Sequence, residues 1–296
     1  MGRSEPGRLV QTALAVLELK VRAVTPTVGG SSLRLYRVTD TAGRRYAVRV
    51  GRPTDAPLLD REARHLRAAR QASMPCPTVL RRADSAVVSA LLTTWEPGAP
   101  LAQVLQEHPA RAHHLVSAAG ALQAQLHRAG AGISGVRLDA GWALPHSPDE
   151  EAALAACPDD GPATLLHLDF HPLNLLADER RITAVVDWMN AGWGDARRDV
   201  ARTTALLILE LTRPGSPLQP VVPAVLAAWW AGYESVAGSL RDMGPYMVWA
   251  GLATIRDLAG KRSTDDVAWM RETVAAWQAG SWSPPRRQDE DPSSVG

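Results

Sequence analysis

The spacing of apolar residues along this 296-residue chain changes character near residue 98. Before that point, residues 5–19 set Leu9, Ala13, Val16 and Leu17 at helical intervals and predict a helix. "SSLRLYRVTD" distributes Leu33, Leu35, Tyr36 and Val38 among polar positions, "TAG" supplies a turn, and "RRYAVRV" returns, which predicts a β-hairpin. Residues 57–71 place Leu58, Leu59, Ala63 and Leu66 on one face of a second helix, and Pro75 and Pro77 of "MPCPTVL" end it. "SAVVSALLTTW" reads as a further strand, closed by Pro97 and Gly98.

After residue 98 the helical period takes over. "LAQVLQEH" and "ARAHHLVSAAGALQAQLHRAG" predict two helices, the second closing at Gly130, and a loop rich in Gly and Pro is expected to about residue 162. "TLLHLDFHPLNLLADERRITAVVDW" reads as short apolar strands whose leucines wall a polar loop, with a "DERR" turn between the later two. From "GDARRDVARTTALLILEL" to about residue 279 the pattern is almost all helical, and "SPPRRQDEDPSSVG" has the composition of a mobile tail. The expected organisation is α+β. A sheet-rich part covers residues 1–95, a helical part 96–280 and a flexible tail 281–296.

Composition narrows the partners. With 46% apolar and 21% charged residues the chain has an ordinary globular make-up, and a formal net charge of +1 argues against a general nucleic-acid binder. Only Lys20 and Lys261 are lysines among 32 basic residues, so an arginine pair such as Arg81-Arg82 reflects a chain-wide preference rather than an anion site. Cys76 and Cys157 lack any paired-thiol metal spacing, which fits a reduced, cytoplasmic setting. "MGRSEPGRLV" has no apolar signal core and no apolar run matches a membrane span. The expected partner is a small molecule, with no nucleic acid and no membrane, for a monomer or homodimer.

The polar residues inside the leucine-walled run carry the candidate chemistry. His167, Asp169, His171 and Asn174 fall within eight positions, and Asp187 ends the next apolar strand in "VVDW". Phosphoryl transfer needs a carboxylate to receive a hydroxyl proton and further oxygen ligands for Mg2+. Asp169 and Asn174 share one loop. Asp187 follows a strand able to pair with the segment after that loop, which would set its carboxylate beside Asn174.

In this order the segments resemble the aminoglycoside phosphotransferase/choline kinase branch of the protein-kinase-like fold, over nearly the whole chain. "LLHLDFHPLNLL" resembles that family's His-Gly-Asp-x-His-x-x-Asn loop, "VVDW" its Ile-Asp-Trp metal strand, and "GDARRDVA" its Gly-Asp-Pro-x-x-Asp-Leu-Ala run. "REARHLRAAR", "MPCPTVL" and "LLTTWEPGAPL" match its Glu-bearing helix, its Pro-x-Pro strand entry and its lobe linker. The resemblance implies two lobes, a small antiparallel-sheet N-lobe and a larger helical C-lobe, with ATP and Mg2+ as cofactors. It makes Asp169 the general base and gives Mg2+ to Asn174 and Asp187. Arg49 takes the place of a strand-borne lysine that holds the α- and β-phosphates, with Glu62 as its ion-pair partner. Gly29, Gly30, Ser31 and Ser32 would cover the phosphates, and Thr94, Trp95 and Glu96 would meet the adenine edge. Three positions depart from the pattern. Leu168 stands where the family has Gly, Arg49 replaces Lys with a planar five-donor fork, and the phosphate loop has only two glycines.

Plainer readings sit beside these. Asp169 alone could be a turn residue, and Glu62 a solvated charge on an exposed helix. His167 is read as bracing its loop, and His171 as bracing it or touching substrate. Asp195 and Asp199 open a helix, where an N-cap accounts for at least one; Asp199 is read as supporting the loop. Neighbouring His113 and His114 diverge on a helix and cannot share a metal. The ten tryptophans fall mostly at core spacing, and Glu234, Asp242, Asp257, Asp265 and Asp266 are surface charges or a face for a cationic substrate. The functional expectation is an ATP- and Mg2+-dependent transfer to a hydroxyl of an aminoglycoside or other antibiotic, an amino alcohol, a sugar or an amino acid. A nucleotide-binding pseudokinase with a regulatory role, or a protein kinase, remains as an alternative.

Overall fold

The computed structural model describes residues 5–27, 33–133, 144–158 and 160–285. The chain forms two compact units, Met1–Gly98 with Thr183–Met189, and Ala99–Ile182 with Asn190–Gly296. The excursion of residues 183–189 into the first unit differs from the simple division near residue 95 expected from the sequence.

The first unit is built on an antiparallel sheet of five strands, β1 (Val21–Pro26), β2 (Arg34–Asp40), β3 (Arg45–Gly51), β4 (Val79–Asp84) and β5 (Ser89–Thr94), in the order β1-β2-β3-β5-β4. Alternation decides what each face meets. Val48 and Val50 of β3, with Tyr36, Val38, Ala90 and Leu92, pack with Val10, Ala13 and Leu14 of helix α1 (Glu5–Val16) and with Leu17 just beyond it. Helix α2 (Ala56–Gln71) covers Leu33 and Leu91 with Leu59 and Ala63. Arg49, between Val48 and Val50 and opposite Leu91 in the register, therefore shares its face with α2. The sequence pattern left β1 unassigned, because its exposure does not alternate and its register with β2 shifts between Val21 and Ala23. It also left "RRADS" as a strand end, whereas Arg81 and Arg82 lie within β4.

Residues 183–189 are tied to this unit by their own hydrogen bonds. Val185 N–H donates to the Pro75 carbonyl (2.7 Å), Thr183 Oγ1 to the Pro97 carbonyl (2.5 Å), and His65 Nδ1 lies 2.7 Å from the Trp188 carbonyl. The proline pair that ends α2 thus also supplies an acceptor for the strand leading to Asp187.

The second unit is largely helical: α3 (Leu101–Glu107), α4 (Ala112–Gly130), α5 (Pro148–Ala155), α6 (Ala196–Leu211), α7 (Val222–Ala237), α8 (Met243–Leu258) and α9 (Thr264–Gln278). Strand β6 (Ala99–Pro100) pairs with β8 (Leu175–Ala177), and β7 (Ala163–Leu166) pairs antiparallel with β10 (Gly192–Asp195); β9 (Ile182–Val185) leads out to residues 183–189. Helix α5 falls where the sequence pattern gave only a loop; its signal is the N-cap Ser147, which accepts from Glu150 N–H, followed by Pro148. Strand β10 was also missed, since "GWGD" lacks β-branched residues. Trp188, Trp229, Trp230 and Trp249 are buried, as core spacing implied. Trp282, placed by the sequence in the tail, packs on Trp230 with ring centroids 6.0 Å apart, and residues 286–296 lie outside the described residues. No helix among the described residues is long and apolar enough to cross a membrane.

Helices α4 and α7 touch backbone to backbone. A Cβ on Gly120 would lie 2.0 Å from the Trp229 carbonyl oxygen, and one on Gly232 would lie 1.9 Å from that of Ser117. This close approach brings His127 of α4 within 2.7 Å of Tyr233 of α7. We expect Gly232→Ala to force the helices apart at a cost of about 1–3 kcal/mol, lowering Tm by several degrees in thermal unfolding. An unchanged Tm would contradict the contact.

Candidate active site

The loop between β7 and β8 carries Asp169, and its shape is fixed from below by one carboxylate. Asp199, in the first turn of α6 and fully buried, accepts the backbone N–H of His167 (3.0 Å) at one oxygen and that of Leu168 (2.6 Å) at the other. His127 Nε2 lies 3.0 Å from the same carboxylate, and its Nδ1 meets the Tyr233 hydroxyl. Burial opposes the Asp199 charge, but His127, His167 and the backbone donors outweigh it and hold the carboxyl below its usual range. Two successive N–H groups on one carboxylate require an unusual backbone, and Leu168 supplies it with φ +61°. A leucine there carries a conformational cost of about 1–2 kcal/mol. Its fully buried side chain and the Asp199 grip offset this. The departure from glycine is therefore accommodated by packing. Leu165, Leu166 and Leu175 wall the loop as read from the sequence, but Leu173 is 63% exposed and is no part of that wall.

Above this base Asp169 is surrounded by donors. Its backbone N–H donates to His167 Nδ1 (3.2 Å), so His167 braces the loop. Asn174 Nδ2 donates to Asp169 Oδ2 (2.9 Å) and to the Asp169 carbonyl (3.0 Å), which leaves Asn174 Oδ1 as the acceptor of that amide. His171 Nδ1 accepts the Leu173 N–H (3.3 Å), and His171 Nε2 lies 3.4 Å from Asp169 Oδ1 and 3.2 Å from Asn174 Nδ2. Burial alone would raise the Asp169 pKa. The His171 hydrogen bond, with the electrostatic influence of His171, Arg202 and His167, prevails and holds it at about 2.

Arg202 is a residue the sequence reading missed. It lies one turn beyond Asp199 on α6, is 2% exposed, and bonds Thr254 and Asp257 of α8. Its neighbour Arg256 bonds Glu150 of α5, and Asp257, read from the sequence as surface charge or part of a face for a cationic substrate, is matched by Arg202 and Arg256. Asp266 likewise lies 3.6 Å from Arg213. Asp195 is the N-cap of α6, accepting the Arg197 N–H at 2.8 Å and the Arg197 guanidinium, which gives it a structural role.

The first unit holds a second charged cluster. Arg49 Nε lies 2.8 Å from Glu62 Oε1, and Arg49 Nη2 lies 3.3 Å from Asp187 Oδ1. Glu62 sits in the buried stripe of α2 with Leu59, Ala63 and Leu66, so it is not the solvated helix charge of the plainer reading. Burial pushes its pKa up; Arg49 counteracts this and Asp187 adds to it, leaving it at about 7. Asp187, at φ +63°, is the more exposed acid, and His65 on α2 secures the carbonyl of the next residue. At the end of β5, Thr94 accepts the Thr78 N–H and donates to Glu96 Oε1 (2.5 Å), while Arg37 stacks over the Trp95 ring at 5.7 Å. Gly29, Gly30, Ser31 and Ser32 lie outside the described residues. Burial holds Cys76 and Cys157 as thiols, pushed up to about 12 and about 11.

Among the described residues no group of three or more His, Cys, Asp or Glu side chains is arranged to hold a metal ion. Carboxylate and amide oxygens, the donor types that Asp187 and Asn174 each carry, are those a hard cation takes.

Comparison with known proteins gives a consistent picture. The family model described as the phosphotransferase enzyme family matches residues 23–246. No curated protein matches the sequence. Among solved structures, amicoumacin kinase hAmiN in complex with AMP-PNP, Ca2+ and Ami superposes with TM-score 0.68 at 12% identity, covering 96% of each chain. Aminoglycoside phosphotransferase APH(4)-Ia, as a thermostable mutant with AMP-PNP and hygromycin B, gives TM-score 0.59 at 21% identity over 89% of this chain and 96% of its own. A fructosamine-3-kinase homologue from Haemophilus somnus 129PT gives 0.62 at 14% identity over 90% and 95%.

Two outcomes follow from the charge arrangement. Asp199→Asn removes the charge that two backbone N–H groups and His127 share, and we expect a loss of about 3–5 kcal/mol in denaturant unfolding. A loss below about 0.5 kcal/mol would contradict the role of Asp199 as the base of the loop. Glu62 has a raised pKa in the folded chain, so its contribution to stability is present below pH 4.5 and is lost as pH rises through about 7. Glu62→Gln should flatten that part of the Tm–pH curve; an unaltered slope between those values would count against the buried acid.

Proposed function

The chain belongs to the phosphotransferase enzyme family, and from that premise we propose that it transfers the γ-phosphoryl group of ATP, with Mg2+, to a hydroxyl of a small molecule. The observation that carries the reading is an ionised Asp169 held between Asn174 and His171 on a loop whose backbone is clamped by Asp199. A carboxyl with a pKa of about 2 is a weak base at neutral pH. Its contribution is therefore to accept the acceptor hydroxyl's hydrogen bond and aim its oxygen at phosphorus. The proton moves to Asp169 as the new O–P bond forms and the bond from the γ-phosphorus to the β–γ bridging oxygen breaks, releasing ADP.

The other roles follow the chemistry of each group. Asp187 and Asn174 are the oxygen ligands offered to Mg2+, which would shield the phosphate charge when bound with the nucleotide. Arg49 keeps the edge of its guanidinium that is not turned to Glu62 for phosphate oxygens. The segment Thr94–Glu96, fixed by the Thr94 hydrogen bonds, offers backbone groups to the adenine edge, and Gly29 to Ser32 would cover the phosphates. Hygromycin B and amicoumacin-type ligands belong to the solved relatives. For this chain the acceptor class is a hydroxyl compound among antibiotics, amino alcohols, sugars and amino acids. The matching of Asp257 by arginines favours an acceptor that is not a polycation.

We expect hydroxyl-stimulated ADP release from the purified protein. Asp169→Ala should lower kcat by about 10²–10⁴-fold with Tm preserved. Full activity in that variant would overturn the assignment.

A further inference from the structure

The replacement of a lysine by Arg49 creates a contact that a lysine ammonium could not make in the same way. Nε–H and the adjacent N–H of Nη2 lie along one edge of the planar guanidinium, and this edge commonly takes both oxygens of a single carboxylate. Here the edge is split between two acids on different elements: Nε to Glu62 Oε1 on α2 at 2.8 Å, and Nη2 to Asp187 Oδ1 at 3.3 Å. Arg49 and Glu62 are 11% and 5% exposed and cannot easily swing away, whereas Asp187 is 27% exposed. Glu62 Oε2 has no hydrogen-bond partner among the described residues, so Glu62 binds Arg49 through one oxygen only. Among the described residues Nη1 meets only the soft sulfur of Met189, at 3.8 Å.

We propose that Arg49 guards Asp187 against free divalent cations, so that Asp187 accepts a metal only when polyphosphate arrives with it. The proposal rests on the reading of Asp187 as a metal ligand. A bare cation approaching Asp187 meets a guanidinium already in contact with the carboxylate, and like charges at that range oppose each other strongly where water is scarce. A nucleotide changes the balance because its phosphates take the free edge of the same guanidinium and neutralise it. The cation carried on those phosphates then finds Asp187 open. Arg49 thereby imposes an order: metal and nucleotide enter together.

The test reads metal binding directly, from the free Mn2+ signal in electron paramagnetic resonance, on the full chain with and without AMP-PNP. We expect the unsubstituted protein to bind Mn2+ at least tenfold more tightly with AMP-PNP than without. Arg49→Lys keeps one positive charge but loses the planar fork that holds donors on both acids in fixed directions, so nucleotide-free Mn2+ affinity should rise about threefold or more. Glu62→Gln leaves the Arg49 charge uncompensated beside Asp187, so nucleotide-free affinity should fall. Unchanged or weaker nucleotide-free binding in Arg49→Lys overturns the proposal, as does tighter binding in Glu62→Gln should the lysine variant fail to fold. Asp187→Asn separates this proposal from the reading beneath it. If Mn2+·AMP-PNP binding survives that change, Asp187 is not the metal ligand; if it is lost while Arg49→Lys behaves as the unsubstituted protein, only the guarding role fails.

Discussion

A carboxylate sealed inside a protein must be met by donors on every side, and Asp199 meets that demand with the backbone of the very loop it supports. Its two oxygens take the N–H groups of His167 and Leu168, and His127 approaches from α4. The clamp sets the backbone at Leu168 into a left-handed conformation, and the chain then delivers Asp169 to the mouth of the loop. His127 is itself positioned by Tyr233, across a helix pair close enough that only glycine fits at Gly120 and Gly232. The geometry of the Asp169 loop is thus referred back, through three hydrogen bonds, to the packing of α4 on α7.

The first unit solves a different electrostatic problem. Its sheet face toward α2 sets Arg49 among Leu33 and Leu91, and Glu62 of α2 meets the guanidinium in the interior. Asp187 is brought to the same guanidinium by a segment bound to the Pro75 and Pro97 carbonyls and to His65. Arginine suits this arrangement because its donors point in fixed directions and its charge is not lost on burial. The two charged clusters share a principle: each ionised side chain is fixed by partners on another element before any ligand arrives, which lowers the reorganisation that phosphoryl transfer would require.

Much of this was legible in the sequence wherever the information is local. The spacing of Asp169 and Asn174 is a property of one loop, and Asn174 does bond Asp169 directly. The apolar stripe of α2 marks the face on which Glu62 lies, and strand alternation puts Arg49 opposite it. What escaped depends on distant partners or weak local signals. His127 lies 72 residues from Asp199, and Arg202 is 55 residues from Asp257; neither pairing leaves a periodic trace. Helix α5 is only 8 residues long and sits in a Gly- and Pro-rich stretch, and β1 is bulged and half exposed. Leu168 stood out as a departure from glycine, but nothing in the sequence told that buried packing would hold it at positive φ.

The central claim is that Asp169 directs a hydroxyl onto the γ-phosphate of ATP. Phosphorus-31 NMR of the protein with ATP, Mg2+ and a panel of hydroxyl compounds tests it most directly, because the bond formed is itself observed. We expect a phosphomonoester resonance that appears with a particular acceptor, grows as ADP accumulates, and is absent with Asp169→Ala. ATP converted only to ADP and inorganic phosphate across the panel, or a phosphomonoester that forms equally well without the Asp169 carboxylate, would contradict it.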